Sequence, residues 1–286
     1  MSSELVGIWG RPYIDLTRII DPAPLADLHE EICLALARIE TSYTGGTLKW
    51  MGVTAPTVNR DGYLDAMQVI AKFSQEELET FASLDESYVP TKNGKLGRRA
   101  GSHADTPSVP SVEFGDETDR PFTKSQMLYL KYKYGVYFPW KVVYHLLENV
   151  WWEDKNSGEG KTFGDEALAF FPQTIEWLKR LPFREIGRCV LFGLEAHDHA
   201  PLHRDTVPDP NGEVAHSISI CPLGNKTLYL ASPNLAKRVP IHSKIYWFND
   251  MDWHGVEPAP VFRYSIRVDG VFEPDFVEQL ERMVFL

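Results

Sequence analysis

The chain has 286 residues, with 29 Lys and Arg against 40 Asp and Glu, a formal net charge of −11. That balance speaks against a nucleic-acid partner, which needs basic surface to displace counterions, and against a polybasic membrane anchor. Hydrophobic content of 43% with 24% charged residues is the composition of a globular protein with a large core.

Three widely spaced cysteines, Cys33, Cys189 and Cys221, suggest neither a disulfide framework nor a CxxC metal site. Reduced thiols in a cytoplasmic protein are the expectation. The first eleven residues lack the basic-then-apolar pattern of a signal peptide. No apolar run reaches the roughly 20 residues that span a bilayer, so no membrane association is expected.

In chain order, Leu25, Leu28, Ile32, Leu36 and Ile39 recur at helical spacing after the Asp21-Pro22 turn. A second helix is predicted through Leu64, Met67, Ile70 and Phe73. A third begins at Ser74, where Glu77 completes a capping box. Residues 83–122 are rich in Pro and Gly and read as a long loop, either a linker or an active-site lid. From Ser125 to Tyr134 the residues alternate in the manner of an aromatic-rich strand. Asp165 to Arg180 forms an amphipathic helix that Pro182 stops. Beyond Ile186 come short β-like runs at 188–196, 215–221, 226–231, 244–248 and 263–272, the pattern of a sandwich or barrel. No GxGxxG or Walker motif supports nucleotide binding.

The chemistry concentrates in the last third. His203 and Asp205 sit two apart, so in a strand both point to one side and can grip one metal. His254, 51 residues on, is the best third ligand. Two histidines and one carboxylate with open positions describe the facial triad of non-haem Fe(II) oxygenases. Nine residues further, Arg263 and Ser265 share a strand face. A guanidinium grips a carboxylate through two parallel hydrogen bonds, and a hydroxyl adds a donor. Arg267 lies on the same face and is the alternative clamp, or a contact to a substrate carboxylate. Trp253 and His216 are further candidates to border the pocket.

The order H-x-D, distal His, R-x-S resembles the Fe(II)/2-oxoglutarate-dependent dioxygenases. Phe248-Asn249-Asp250 before His254, and Val268-Asp269 closing the Arg strand, resemble the aspartyl/asparaginyl β-hydroxylase-like branch, which includes bacterial proline hydroxylases. The likeness covers about residues 180–273. It implies an α+β fold with a double-stranded β-helix (jelly-roll, cupin-like) core and flanking N-terminal helices. Residues 1–180 match no family pattern, and together with the helical spacing there the expectation is one oxygenase domain over 1–286: a helical and loop elaboration at 1–124, the β-helix core at 125–273 and a C-terminal helix at 274–286. The likeness further implies Fe(2+) on His203, Asp205 and His254, the distal carboxylate of 2-oxoglutarate on Arg263 and Ser265, and O2 as oxidant. The reaction would be hydroxylation, or another oxidation, of an unactivated C–H in an amino acid, peptide or natural-product intermediate. Two rival readings keep the barrel: a cupin-like metal enzyme without 2-oxoglutarate, and a non-catalytic binding protein.

Overall fold

The computed structural model describes residues 5–39, 66–84, 88–90, 96–98, 124–147, 155–205, 213–234 and 236–285. Helix α1 (Leu25–Leu36) buries Leu25, Leu28, Ile32 and Ala35, the apolar stripe that its spacing predicts. Two further helices, α2 (Ala66–Ile70) and α3 (Gln75–Ser83), follow. At the start of α3 the Ser74 hydroxyl accepts the Glu77 N–H at 3.2 Å, and the Glu77 carboxylate accepts the Ser74 N–H at 3.0 Å. Both halves of the predicted capping box are therefore present.

The stretch expected as a strand from Ser125 is helix α4 (Lys124–Tyr134). Its sequence holds no β-branched residue, and Lys, Gln, Met and Leu all favour helix. Met127 and Leu130, three apart, are buried with Ile70 and Phe81 in a cluster shared by α2, α3 and α4. The helix predicted over 165–180 is two helices, α5 (Asp165–Phe170) and α6 (Pro172–Leu178). Pro172 has no N–H to continue the first and its fixed φ suits the first turn of the second. Helix α7 (Pro274–Phe285) closes the chain where a C-terminal helix is expected. Among the described residues no helix is long and apolar enough to cross a membrane.

Twelve strands are described: β1 (Tyr13–Asp15), β2 (Tyr88–Pro90), β3 (Leu96–Arg98), β4 (Trp140–His145), β5 (Phe183–Leu194) and β6 (Ala200–His203), then β7 (His216–Ile220), β8 (Leu228–Ala231), β9 (Arg238–Pro240), β10 (Ile245–Phe248), β11 (Trp253–Val256) and β12 (Arg263–Phe272). All pairings are antiparallel. A six-stranded sheet has the order β1-β10-β7-β12-β5-β4, and a four-stranded sheet has the order β6-β11-β8-β9. The pair β2-β3 falls inside the predicted loop 83–122, whose remaining residues from 85 onward lie outside the described set.

Strand periodicity sorts the side chains. On β12, Tyr264, Ile266 and Val268 join the core between the large sheet and helices α1, α5, α6 and α7. The alternate residues, Arg263, Ser265, Arg267 and Asp269, lie on the other face and are all buried. On β5 and β10, Val190, Phe192, Tyr246 and Phe248 form a second core cluster with Leu228 and Leu230 of the small sheet. That inter-sheet space is where polar and apolar residues meet. It is anchored by Arg188 and Asp269, cross-strand partners whose side chains form a fully buried ion pair at 2.6 Å. Removing one member of such a pair costs about 3–5 kcal/mol, because the other charge stays buried.

Candidate metal centre and its cavity

His203 ends β6 and His254 lies on β11, directly opposite it in the ladder. The two imidazoles therefore lie side by side, 4.3 Å between ring centres. Asp205 follows in the next loop, where its N–H donates to Asp250 O at 2.9 Å. That bond ties the Asp205 loop to the Asn249–Asp252 turn. Asn249 shapes the turn by accepting the Met251 N–H, and its amide donates to Gly7 O.

One ligand atom from each of His203, Asp205 and His254 lies within 4.8 Å of the others. Asp205 Oδ1 is 3.7 Å from His203 Nε2 and 3.5 Å from His254 Nε2. Each Nδ1 lies against a backbone carbonyl two residues back: His203 on Pro201 O at 2.6 Å, His254 on Asp252 O at 2.8 Å. A carbonyl only accepts, so each Nδ1 carries a proton, and in the neutral ring Nε2 then presents a lone pair. That is the tautomer a metal-ligating histidine takes, held by its outer hydrogen bond. The donor set fits a divalent transition metal with open positions.

Electrostatics favour a neutral His203 and an ionised Asp205. Burial, with His254 beside it, pushes the His203 imidazolium down to about 3, so the ring is neutral. Burial alone would raise Asp205, but the adjoining His254 ring and the Arg267 guanidinium prevail and keep it well below the usual carboxylate range. Arg267 sits at the centre of a charge network. It reaches Asp205 at 3.4 Å, Asp250 at 2.8 Å and Asp269 at 2.9 Å. Asp250 also pairs with Lys155 at 2.7 Å.

Beside the histidines lies a cavity bounded by Trp140, Phe192, Tyr246, Phe248, Ser265 and Arg267, and Lys226 opens into it. The Lys226 ammonium is enclosed by neutral groups. Its Nζ is 2.6 Å from Ser265 Oγ, 3.5 Å from Phe192 O and 4.2 Å from the Trp140 ring centre. Burial pushes it down to about 7, and Arg263 and Arg267 repel it further against the opposing pull of Cys221. The indole Nε1 of Trp140 is a second buried donor there with no hydrogen-bond partner.

The structure thus brings together His203, Asp205, His254, Ser265 and Arg267, and leaves three predicted residues elsewhere. Arg263 is buried at the start of β12, where its guanidinium donates to the carbonyls of Glu195, Val261, Asp198 and Glu257. Its donors fasten two loops, and it is not among the residues lining the cavity. Trp253 precedes His254 and so points to the opposite face of β11, against Leu202, Tyr229 and Ala231. Arg204 covers its ring at 4.7 Å. His216 stacks on Phe272 at 4.5 Å, and its Nδ1 accepts the Phe272 N–H, on the helix-covered side of the sheet. Lys226 was not among the predicted site residues. The available signal was parity: Lys226, Leu228 and Leu230 are two apart, and the two leucines face the inter-sheet space.

No family model matches the chain, and no curated protein does. Among solved structures it is similar to a Pseudomonas putida prolyl-4-hydroxylase, at 15% identity over 37% of this chain and 62% of that one, TM-score 0.24. It is also similar to an oxidoreductase of the 2OG-Fe(II) oxygenase family from Burkholderia pseudomallei, at 12% identity over 44% and 66%, TM-score 0.29. A cupin domain from Bordetella pertussis aligns at 7% identity over 29% and 78%, TM-score 0.21. The chain spans less than two thirds of the first two proteins, and similarity this low assigns neither family nor activity.

Proposed function

We propose that this chain is an Fe(II)- and 2-oxoglutarate-dependent oxygenase on a double-stranded β-helix. The eight strands β5 to β12 divide as β10-β7-β12-β5 and β6-β11-β8-β9, two facing antiparallel sheets, which supports the jelly-roll reading. The observation that carries the function is a shared cavity. His203 and His254, aligned with Asp205 for one metal, and a buried lysine with no carboxylate partner among the described residues, Lys226, open into the same space.

A 2-oxo dicarboxylate makes two demands. Its 2-oxo acid end chelates a metal, and its distal carboxylate needs a buried cation. Lys226 meets the second, with Ser265 Oγ and Trp140 Nε1 as neutral donors beside it. Arg267 is less suited to that role, since Asp205, Asp250 and Asp269 already neutralise it. Its part is to hold Asp205 ionised toward the histidines. Fe(II) in this site, with 2-oxoglutarate and O2, supplies the oxidant for an unactivated C–H and leaves succinate and CO2 as products. Trp140, Phe192, Tyr246 and Phe248 wall the cavity and keep water from the reacting groups. Asp205 in the ligand set favours hydroxylation. The substrate is an amino acid, a peptide or a natural-product intermediate, and nucleic acid is not a partner at this net charge.

The test is consumption of 2-oxoglutarate in air. Succinate should form slowly without added substrate, only with Fe(II), and Asp205→Ala should abolish it. Succinate formation that persists in Asp205→Ala, or none with iron bound, would refute the assignment.

A further inference from the structure

We propose that 2-oxoglutarate binds together with one proton, which Lys226 takes from solvent as the distal carboxylate arrives. This rests on the oxygenase reading and adds a protonation step to its cosubstrate site.

The geometry carries it. Lys226 is 6% exposed, and among the described residues none of the groups bounding its cavity is a carboxylate. The titratable and charged groups around it are Cys221 from the preceding loop, Tyr246 of β10, Arg263 and Arg267 of β12, and His203 and His254 on the small sheet. Both arginines repel an ammonium. Tyr246 stays a neutral phenol, because burial raises it. With a metal on Nε2, both histidines are neutral rings. An ammonium enclosed this way, without a counterion, favours its neutral amine, and the Ser265 hydroxyl at 2.6 Å is placed to donate to that amine. A bound carboxylate reverses the preference: R–NH2 + H⁺ becomes R–NH3⁺ against the anion.

Linkage sets the signs. The ligand carboxylates stay ionised from pH 6 to 9. With Lys226 at about 7 in the free protein, binding below that pH needs no proton and its affinity is flat. Above it the uptake approaches one proton, and Kd rises about tenfold per pH unit.

Calorimetry of 2-oxoglutarate binding to the Mn(II)-saturated protein, without O2 and in buffers of different ionisation enthalpy, reads the proton directly. Manganese on His203 and His254 removes their titration. We expect uptake near zero at pH 6 and near one at pH 8.5, with Kd at least tenfold weaker at pH 8.5. Lys226→Arg, which keeps its charge, should bind with no uptake at either pH. Wild-type binding with equal Kd and no uptake at both pH values would overturn the inference and leave the oxygenase reading standing. The same pH slope in Lys226→Arg would overturn it too, by placing the proton elsewhere. No binding of 2-oxoglutarate even at pH 6 would overturn both.

Discussion

Replacing His203 or His254 by alanine is expected to weaken divalent-metal binding by about two to three decades. A four-ligand zinc site is worth about 10–16 kcal/mol. An even share is roughly 3–4 kcal/mol per ligand, or two to three decades in affinity. The fold should survive, since β6 and β11 stay paired through their backbone ladder whatever the two side chains are. Equilibrium dialysis with Mn(II) or Co(II) checks this, with circular dichroism as the control for folding. Asp205→Ala should also lose affinity, and should leave Arg267 with less compensating charge. Variants of either histidine that retain stoichiometric metal would show that the three residues are not a ligand set.

The second large effect separates Lys226 from Arg263. Lys226→Met should raise the half-saturating 2-oxoglutarate concentration by about one to four decades. The basis is the 2–5 kcal/mol lost when one partner of a buried charge pair is truncated. The same substitution should leave the melting temperature unchanged or higher, because it removes a buried amino group that has no carboxylate partner among the described residues. Arg263→Met should do the reverse. It strands four carbonyl acceptors at about 1–3 kcal/mol for each one left buried and unsatisfied, so the protein loses several degrees of thermal stability. Its effect on 2-oxoglutarate saturation should be the smaller of the two. Titrating succinate formation and recording thermal melts for both variants decides the matter. The opposite ranking would return the cosubstrate clamp to Arg263.

Part of the candidate metal cluster is a local feature of the sequence, while His254 joins it only through the β6-β11 pairing. His203 and Asp205 are two residues apart, and the strand β12 runs over residues 263–272 as its alternation predicts. The Asn249-Asp250 turn also has a visible task, since it braces the Asp205 loop and leads into the strand that carries His254. What sequence spacing does not reveal is which residues of a strand face reach the cavity. Arg263 and Ser265 share a face, yet Arg263 lies at the end of the strand, where loop carbonyls hold both of its terminal nitrogens. Two errors concerned parity. His216 alternates with Ser217 and shares its side with Ile218 and Ile220, which belong to the helix-covered core. Trp253 is one residue from a ligand and therefore on the other face. Lys226 escaped notice for a different reason: a lysine at a strand entrance is usually solvated, and only the opposing sheet makes it buried. The helix at 124–134 was misread because Lys, Leu and Tyr alternate there by chance, while the absence of β-branched residues is the stronger signal.

Anaerobic addition of 2-oxoglutarate to the Fe(II)-loaded protein tests the central claim most directly, because it asks whether metal and cosubstrate share one site. A weak visible charge-transfer absorption should appear only when both are present, reach saturation with 2-oxoglutarate, and vanish in His254→Ala. Stoichiometric Fe(II) with no such absorption at saturating 2-oxoglutarate would contradict the account, and would favour a metal enzyme that has no use for this cosubstrate.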